Sequence, residues 1–438
     1  MDCRITRPVT GGTVKAIPSK SAAHRLMIAA GLSGLSLEGR ADGLSQDISA
    51  TKDCIEVLLR NREGADVRGT GEGDTIRRMN CRESGSTLRF MVPVAAAIGG
   101  FSEFAAEGRL PERPMEPLKL QLEAHGCTMS GPGENPIRVE GKLEAGVYEI
   151  PGDVSSQYVT GLLMALPLLE GDSEIVVDGV LQSRPYVNMT LDTLAKAGIA
   201  FYEETRERAS SSCGLQTVFR VPGSQKYSLP AKYIDEIEGD WSNGAFWIVM
   251  DAVSRMGAGA GANAGTNSEG GAGGREFAGI DCLGLDNDSA QGDKEIVRWL
   301  GILEHDETVD IDVGDIPDLV PILSVLASAR RKGAVTNIVN GARLRYKESD
   351  RLKAVTEVMR ALGGDIIEKE DSLVIKGVET LSGGTVPGHN DHRIVMMAAA
   401  AACISLGDVV ITGCEAVNKS YPKFFEDYVS LGGEVTCL

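Results

Sequence analysis

Positively charged and hydroxyl side chains recur just before long apolar segments of this chain. Four such groups are Lys20, Ser21 and Arg25; Ser86, Thr87 and Arg89; Ser155, Ser156 and Gln157; and Arg393. If each apolar segment is a helix, these groups lie at its amino terminus, where unpaired N–H groups and a partial positive charge favour anions. Further basic residues fall in loops, namely Arg109, Arg113, Arg184 and Lys419. Each cation alone is typical of a solvated surface, but the whole set predicts a site for a small, highly charged anion.

Two carboxylates lie among these cations and could transfer protons. Glu348 follows Lys347 in the segment RLRYKESDR, and Asp318 follows Pro317 at the start of another apolar run. If a helix begins near Glu348, Lys347 and Arg351 lie four residues apart on one side of it. Two carboxylates in different surroundings can divide acid and base work between them. The alternatives are an ordinary acid at a helix start for Glu348 and an N-cap for Asp318, and sequence spacing does not decide between these roles.

The apolar segments themselves are typical of buried helices. The clearest is Gly388–Gly413, where a polar head is followed by Ile, Val, Met and Ala without a charge, then by a strand at Val409–Ile411. A helix that is apolar all round has no face for water, so we expect it in the core. The same arrangement begins again at Pro18, Glu83, Pro151, Gly239 and Asp315.

An amphipathic helix that ends in glycine before a strand recurs between the apolar helices. Examples are Ser49–Arg60, Pro117–His125 and the segments that end at Gly198, Gly364 and Gly433. Six copies of this combination predict an internally repeated α/β protein. A pause near Pro222–Ala231 predicts a hinge between two groups of repeats. Gly257–Gly274 has the composition of a flexible, low-complexity insertion.

Composition limits the classes of function. The 438 residues are enough for more than one domain, and 44 basic against 62 acidic residues give a formal charge of −18. That charge argues against nonspecific binding of nucleic acid or of anionic membranes. The amino terminus lacks an apolar signal core, and the nine cysteines never occur as CxxC. We therefore expect a cytoplasmic protein with reduced thiols and without a zinc site.

In their order along the chain, these motifs resemble those of the enolpyruvyl transferase family, in particular the branch that acts on shikimate 3-phosphate. The motifs are PSKSAAHR, ESGSTLR, GRLPERP, SSQYVTGLLMALP, SRPY, IPDLVP, RLRYKESDR, NDHR and NKSYPKFF. The resemblance implies a two-domain, pseudo-symmetric α/β fold of six repeated units with buried helices, also described as an inside-out α/β barrel. It implies that residues 1–17 and 231–438 form one domain, that 18–230 form the other, and that ligands lie in the cleft between them.

The resemblance also implies a reaction. The enolpyruvyl group of phosphoenolpyruvate moves to the 5-hydroxyl of shikimate 3-phosphate and phosphate is released, a step of chorismate and aromatic amino acid biosynthesis. Domain closure would desolvate and align the two substrates. No metal or organic cofactor is implied, nor a nucleic-acid or membrane partner, and we expect a monomer. Glyphosate competes with phosphoenolpyruvate in this family, so we expect this chain to be sensitive to it.

Individual roles follow from the matching motifs. As catalytic residues the resemblance implies Asp318, which would take the hydroxyl proton, Glu348, which would protonate the methylene carbon, and Lys20. The implied residues for shikimate 3-phosphate are Lys20, Ser21, Arg25, Ser155, Ser156, Gln157, Ser183, Tyr186, Asp318 and Lys347. The implied residues for phosphoenolpyruvate are Lys20, Gly85, Arg109, Gln157, Arg351, Arg393 and Lys419.

Some positions depart from the family pattern. Glu83, Ser84 and Phe90 differ from the common sequence NAGTAMRP around Gly85, and Arg343 stands where some members place an asparagine that touches shikimate.

Three other classes of protein would share parts of this pattern. A transferase for UDP-N-acetylglucosamine would carry Lys-Asn at positions 20–21 and a loop cysteine, which is absent from Glu107–Pro114. An RNA 3′-phosphate cyclase would need a histidine nucleophile, for which His389 and His392 stay open on sequence alone. A DNA clamp of six repeats would carry Lys and Arg along its helices. The ordered motifs favour the enolpyruvyl transferase.

Overall fold

A computed structural model gives the fold of residues 1–40, 44–60, 76–131, 133–207, 215–262 and 277–438, without the side chains of 257–262. This described part of the chain packs into two compact units. Residues 1–19 and 238–438 form the split unit, and residues 20–237 form the continuous unit. The sequence expectation places the crossings at 17/18 and 230/231, a few residues before each of these divisions.

Helices that are buried on all sides and amphipathic helices alternate along both units. The helices are α1 (Lys20–Leu32), α2 (Gln46–Arg60), α3 (Gly85–Ile98), α4 (Glu116–Ala124), α5 (Ser156–Ala165), α6 (Arg184–Lys196), α7 (Lys232–Asp235), α8 (Trp241–Ala262), α9 (Ile296–His305), α10 (Val320–Ala329), α11 (Arg351–Ala361), α12 (His392–Ala401) and α13 (Phe424–Ser430). All ten residues of α10 and all ten of α12 are buried. The six predicted apolar segments are therefore helices α1, α3, α5, α8, α10 and α12, as expected.

The strands are short and lie between these helices. They are β1 (Asp2–Arg7), β2 (Gly11–Lys15), β3 (Arg77–Asn80), β4 (Gly100–Ala105), β5 (Cys127–Met129), β6 (Ile137–Gly141), β7 (Val147–Pro151), β8 (Ser173–Asp178), β9 (Tyr202–Glu207), β10 (Leu215–Val221), β11 (Gly279–Leu283), β12 (Thr308–Asp312), β13 (Val335–Val339), β14 (Asp365–Glu368), β15 (Leu373–Lys376), β16 (Gly384–Pro387), β17 (Val409–Thr412) and β18 (Glu434–Cys437).

Four sheets repeat one strand order. They are β3-β4-β6-β5, β7-β8-β10-β9, β12-β13-β15-β14 and β16-β17-β1-β18. In each sheet the first two strands are parallel and the next two pairings are antiparallel. In the last sheet, β1 from the amino terminus lies between two strands from the carboxyl terminus. A single strand order reused in this way is what an internal repeat predicts.

Each unit has its own hydrophobic core, built around its apolar helices. In the continuous unit, α3 packs on α5 and α1 packs on α2 and α6. In the split unit, α10 packs on α8 and α12. A helix buried on every side leaves only its ends near polar groups, so functional side chains collect at the helix ends. None of the helices in the described ranges is both long and apolar enough to cross a membrane.

The structure corrects three local predictions. The sequence of Arg4–Lys15 predicts a single strand, but the structure has two strands there, β1 and β2, which belong to different sheets. The Gly/Ala-rich insertion is predicted to begin at Gly257, but α8 continues to Ala262; residues 263–274 of it lie outside the described part. The helix predicted near Glu348 begins at Arg351, because the Asp350 side chain accepts a hydrogen bond from the Lys353 N–H and caps it.

Candidate active site

The continuous unit buries Arg25 among neutral oxygen atoms. Its guanidinium donates to Thr190 Oγ1 at 2.9 Å, to the Ser21 carbonyl at 2.6 Å and to the Tyr186 carbonyl at 2.8 Å. A longer contact of 3.5 Å reaches Thr160 Oγ1. These partners come from α1, α5 and α6, so three helices meet at a single cation.

Arg25 is a buried charge for which the described residues supply no carboxylate. Only 2% of the residue is exposed, and this burial lowers the pKa of its guanidinium to about 10. The ring of Phe90 lies 5.1 Å from the guanidinium carbon and adds a cation–π contact. Burying an uncompensated cation is costly, so an anionic ligand would stabilise this arrangement. Phe90 departs from the common family pattern, and the structure gives it this role.

A second polar group joins the heads of α3 and α5. Arg89 donates to Gln157 Oε1 at 2.8 Å, and Gln157 Nε2 donates to Ser86 Oγ at 2.9 Å. Ser84 caps α3 through the Thr87 N–H. The Gln157 side-chain amide is thus hydrogen-bonded at both its oxygen and its nitrogen.

Gly85 begins α3 and leaves room for an arginine. A Cβ atom at this position would lie 2.6 Å from Nη1 of Arg113. The space that glycine provides is therefore occupied by the Arg113 guanidinium, and the sequence did not predict this contact.

The remaining predicted residues of the continuous unit are less closely grouped. Lys20 forms an ion pair of 2.9 Å with Asp47, and both side chains are nearly buried. Ser155 caps α5, Ser156 is buried in its first turn, and Ser183 precedes α6 with a left-handed φ of 56°. Arg109 is exposed in the turn before Leu110, and no ion pair ties it to the other described residues of its unit.

The split unit places Arg351 between both predicted catalytic carboxylates. Arg351 Nη1 donates to Asp318 at 2.7 Å, Nη2 donates to Glu348, and Nε donates to Asp391 at 2.9 Å. The Arg351 side chain is 1% exposed and that of Asp391 is fully buried. Burial disfavours the charge of Arg351, but Asp391, Glu348 and Asp318 raise its pKa above the ordinary value.

Three cations surround Asp318, namely Arg351, Arg393 and Lys347. Arg393 Nη2 lies 2.9 Å from its Oδ2, and Lys347 Nζ lies 3.7 Å from its Oδ1. Burial acts to raise the pKa of Asp318, but the attraction of Arg393, Lys347 and Arg351 outweighs it and holds the pKa well below the ordinary value. In the absence of a ligand, Asp318 is therefore ionised and weakly basic.

Two further cations lie at the head of α12. Arg393 is 4% exposed and also donates to Ser242 Oγ at 2.6 Å, and Lys419 Nζ donates to the Asn390 carbonyl at 2.6 Å. Arg343 donates to the Gly314 carbonyl at 2.6 Å. Lys347 precedes α11, so its relation to Arg351 arises from a shared contact with Asp318 and not from helix spacing.

The structure thus brings several of the predicted residues together within each unit and adds partners that the sequence did not single out. These partners are Asp47, Thr160 and Thr190 in the continuous unit, and Asp391 and Ser242 in the split unit. The sequence did contain a signal for Thr160 and Thr190. Each is a polar residue on an apolar helix face, four residues after a predicted site residue, Ser156 or Tyr186. Across the described ranges, His, Cys, Asp and Glu side chains form no group of three or more suited to a metal ion.

Comparison with known proteins identifies the family. The family model for EPSP synthase (3-phosphoshikimate 1-carboxyvinyltransferase) matches residues 5–428. The 3-phosphoshikimate 1-carboxyvinyltransferase of Clostridium kluyveri is 41% identical, with 97% of this chain and 96% of that protein aligned. The protein of the same name from Clostridium perfringens is 37% identical, with 98% of each chain aligned.

A solved structure bears on the fold alone. The EPSP synthase of Acinetobacter baumannii aligns over 100% of both chains with a TM-score of 0.67 at 19% sequence identity. The predicted fold class, a two-domain α/β fold with buried helices, is confirmed. The family model and the two relatives show that this chain belongs to the EPSP synthase family, the 3-phosphoshikimate 1-carboxyvinyltransferases.

Proposed function

We infer that this chain transfers the enolpyruvyl group of phosphoenolpyruvate to the 5-hydroxyl of shikimate 3-phosphate and releases phosphate. One observation of its own structure carries this inference, besides its family. The guanidinium of Arg351 is buried and lies between two carboxylates of low solvent exposure, Asp318 and Glu348. Such a pair, with cations around it, suits a reaction that removes a proton from one anionic substrate and adds a proton to another.

Ten residues are assigned to shikimate 3-phosphate from the family motifs. Arg25 supports this assignment best, because it is a buried cation whose hydrogen-bond partners among the described residues are neutral oxygens. The full set is Lys20, Ser21, Arg25, Ser155, Ser156, Gln157, Ser183, Tyr186, Asp318 and Lys347. The serines and Gln157 lie at helix amino termini, which offer N–H groups to phosphate oxygens.

Phosphoenolpyruvate is assigned to a second set of mostly cationic residues. The set is Lys20, Gly85, Arg109, Gln157, Arg351, Arg393 and Lys419. Arg351 uses three of its five N–H groups on carboxylates, so two stay available for a ligand. Arg393 and Lys419 contribute charge from the head of α12 and the turn before Tyr421.

The proton transfers follow from this assignment. Asp318 takes the proton of the 5-hydroxyl as that oxygen bonds to C2 of phosphoenolpyruvate, while Glu348 gives a proton to C3. A tetrahedral intermediate results, and loss of phosphate with a proton from C3 restores the double bond. Because Arg393 and Lys347 hold the pKa of Asp318 low, anions that bind these cations would raise it. Substrate binding would therefore make Asp318 a better base.

A two-substrate assay tests the inference. The protein is mixed with shikimate 3-phosphate and phosphoenolpyruvate in the presence of a chelator, and phosphate release and product mass are followed. Phosphate is expected only when both substrates are present. Release with UDP-N-acetylglucosamine in place of shikimate 3-phosphate would contradict the assignment and support the sister enzyme.

Variants of the two carboxylates test their roles. Asp318→Asn and Glu348→Gln should each lower kcat by roughly 10²–10⁴-fold, the usual contribution of a general acid or base, with smaller effects on the binding of phosphoenolpyruvate. Asp408→Asn and Glu304→Gln, at exposed positions of the same unit, are matched controls and should leave kcat unchanged. A near-normal kcat in Asp318→Asn or Glu348→Gln would remove that residue from the mechanism. A cytoplasmic location and a monomeric state stay predictions.

A further inference from the structure

The turn Gly388–Asp391 contains two successive residues with a left-handed backbone. His389 and Asn390 both have a φ of 52°, and the Asp391 N–H donates to the Gly388 carbonyl at 2.9 Å. A hydrogen bond of this span across two positive φ angles is that of a type I′ turn. Most residues other than glycine disfavour this conformation. Strained backbone that the surrounding structure retains clusters at functional sites, so the turn is a candidate for a role in this one.

The turn lies beside the segment that carries Lys419. The turn follows β16, and the 3-10 turn Cys414–Lys419 follows β17; because these two strands are parallel neighbours, both turns lie at the same edge of the sheet. The Gly388 N–H donates to the Thr412 carbonyl at 2.8 Å and ties the start of the first turn to the end of β17. Lys419 is 7% exposed, and its Nζ donates to the Asn390 carbonyl at 2.6 Å.

The far end of the turn is fixed by the Asp391 side chain. Its Oδ1 accepts from the Arg393 N–H at 2.9 Å. Its Oδ2 accepts from Arg351 Nε at 2.9 Å and from Ser349 Oγ at 3.0 Å. With both ends held, the backbone angles between them decide where the Asn390 carbonyl points. Asn390 is exposed, so a change of its side chain acts mainly through these backbone angles.

We propose that Asn390 is a positioning residue, whose left-handed backbone aims its carbonyl at Lys419 and so orients the Lys419 ammonium for phosphoenolpyruvate. The proposal rests on the proposed function and extends it to a residue to which the family resemblance assigns no role. A neutral carbonyl fixes the flexible lysine side chain without neutralising its charge. Asparagine suits this position because it adopts a positive φ more readily than most other residues with a side chain.

Variants of Asn390 test the role of its backbone. Valine is close to asparagine in size, but its β-branched side chain opposes a positive φ. Asn390→Val should therefore raise the KM for phosphoenolpyruvate about tenfold, as when a charge-assisted hydrogen bond is lost, and change kcat less. Asn390→Gly loses the amide but adopts the same φ, so it should keep this KM within about twofold of the wild type. Equal rises in the two variants, or a normal KM in Asn390→Val, would overturn the proposal.

Glu379→Val is the matched control. Glu379 is an exposed residue of the same unit with a φ of 67°, so valine imposes the same kind of strain there. This variant should lower Tm about as much as Asn390→Val does and leave the KM for phosphoenolpyruvate unchanged. A rise in KM like that of Asn390→Val would contradict the proposal, because strain elsewhere in the unit would then be enough to impair binding.

A second change, at Lys419, locates the effect. In Lys419→Met the ammonium is absent, so the addition of Asn390→Val should change the KM for phosphoenolpyruvate by less than about twofold, because the two residues act through one contact. Rises in KM that multiply in the double variant would show that the turn acts on other residues and would count against the role of Asn390.

A measurement without substrate keeps this test apart from that of the proposed function. Each protein is treated with acetic anhydride, and acetylation of Lys419 is measured by peptide mass spectrometry against that of the exposed Lys369. Lys419 should react several-fold faster in Asn390→Val than in the wild type or Asn390→Gly, because an ammonium that loses its acceptor gives up its proton more easily. This result supports the link between Asn390 and Lys419 even if phosphate release fails, whereas equal rates in the three proteins would refute it.

Discussion

At the scale of single residues, two buried arginines of the proposed site have opposite kinds of hydrogen-bond partner. Arg25 is contacted by hydroxyl and carbonyl oxygens, whereas Arg351 is contacted by three carboxylates. The first arrangement leaves a positive charge for a ligand to neutralise. The second supplies a charge that organises carboxylates for proton transfer. One type of side chain therefore serves two purposes, and its partners decide which.

Gly85 illustrates how a missing side chain shapes the site. An added methyl would meet Arg113 at 2.6 Å, and glyphosate is longer than phosphoenolpyruvate. Gly85→Ala should therefore raise the inhibition constant of glyphosate by roughly tenfold or more, within the range of overpacking costs, and raise the KM for phosphoenolpyruvate by less. Steady-state inhibition kinetics check this.

Arg113→Gln separates the two ways in which Gly85→Ala could act. If the methyl group crowds the inhibitor directly, Arg113→Gln should leave the ratio of the glyphosate inhibition constant to the KM for phosphoenolpyruvate near that of the wild type. If Arg113→Gln instead reproduces the change, the glycine acts by making room for the arginine. Equal shifts of both constants in Gly85→Ala would mean that Gly85 serves only helix packing.

His24 links the stability of the continuous unit to pH. It is 1% exposed, and burial, followed by the charges of Lys20 and Arg25, lowers its pKa well below the ordinary value. The folded protein keeps His24 neutral, whereas the unfolded chain binds a proton near pH 6.5, so stability is lost as pH falls below that value. His24→Gln should show a smaller drop in Tm between pH 7.5 and pH 5.5 than the wild type. His305→Gln, at an exposed position, should behave like the wild type, and an equal drop in all three proteins would contradict the prediction.

The sequence predicts helix heads better than it predicts their partners. Arg393 and Gln157 could be placed because a polar group directly precedes an apolar run. Asp391 could not be paired with Arg351, because forty residues separate them and only the packing of α11 against α12 brings them together. The same limit applies to Asp47, whose importance comes from what it contacts.

At the scale of elements, the N-cap residues of α11 and α12 differ in their burial and in the number of side chains that they bind. Asp350 caps α11 near the surface and pairs with Arg345, whereas Asp391 caps α12, binds Arg351 and Ser349 and is fully buried. A local capping signal is visible in the sequence at both positions. The difference in burial is not visible there, because it depends on which helices pack around each cap.

Replacing each cap by alanine measures this difference. Asp350→Ala should cost about 1–2 kcal/mol, the value of a cap, and leave kcat nearly unchanged. Asp391→Ala should cost about 3–5 kcal/mol, because it leaves the Arg351 charge buried without one of its partners, and it should lower kcat as well. Thermal unfolding and turnover check both variants. Equal losses of stability would show that the buried ion pair adds nothing beyond the cap.

At the scale of the whole molecule, one sheet order used four times explains why the recurring helices predicted an internally repeated α/β protein. The repeats place several polar helix heads in each unit, and buried cations such as Arg25 and Arg351 lie at these heads in a chain of net charge −18. The sequence of Arg4–Lys15 did not show that this segment forms two strands. The division depends on tertiary pairing, because β2 pairs with β11 whereas β1 pairs with β17 and β18.

The cysteines should be dispensable for turnover. Among the described residues the free cysteines are mostly buried, and burial raises the pKa of Cys127 to about 11 and that of Cys403 to about 12. Cys437 is exposed in the last strand, apart from the proposed site residues. Alkylation by iodoacetamide at pH 7.5 should therefore leave kcat within about twofold, since buried thiols react slowly. Rapid loss of activity that substrate prevents would instead favour the sister enzyme with its catalytic cysteine.

The central claim is that Glu348 and Asp318 carry out enolpyruvyl transfer by adding a proton to C3 and removing the hydroxyl proton. The most direct test runs the reaction in heavy water and measures deuterium in the enolpyruvyl methylene group of the product. Protonation of C3 creates a methyl group that has gained one deuteron, and loss of a hydrogen from it must leave deuterium in part of the product. Glu348→Gln should lower deuterium incorporation and turnover together. A wild-type product without deuterium at C3 would contradict the account, because transfer would then proceed without protonating the methylene carbon.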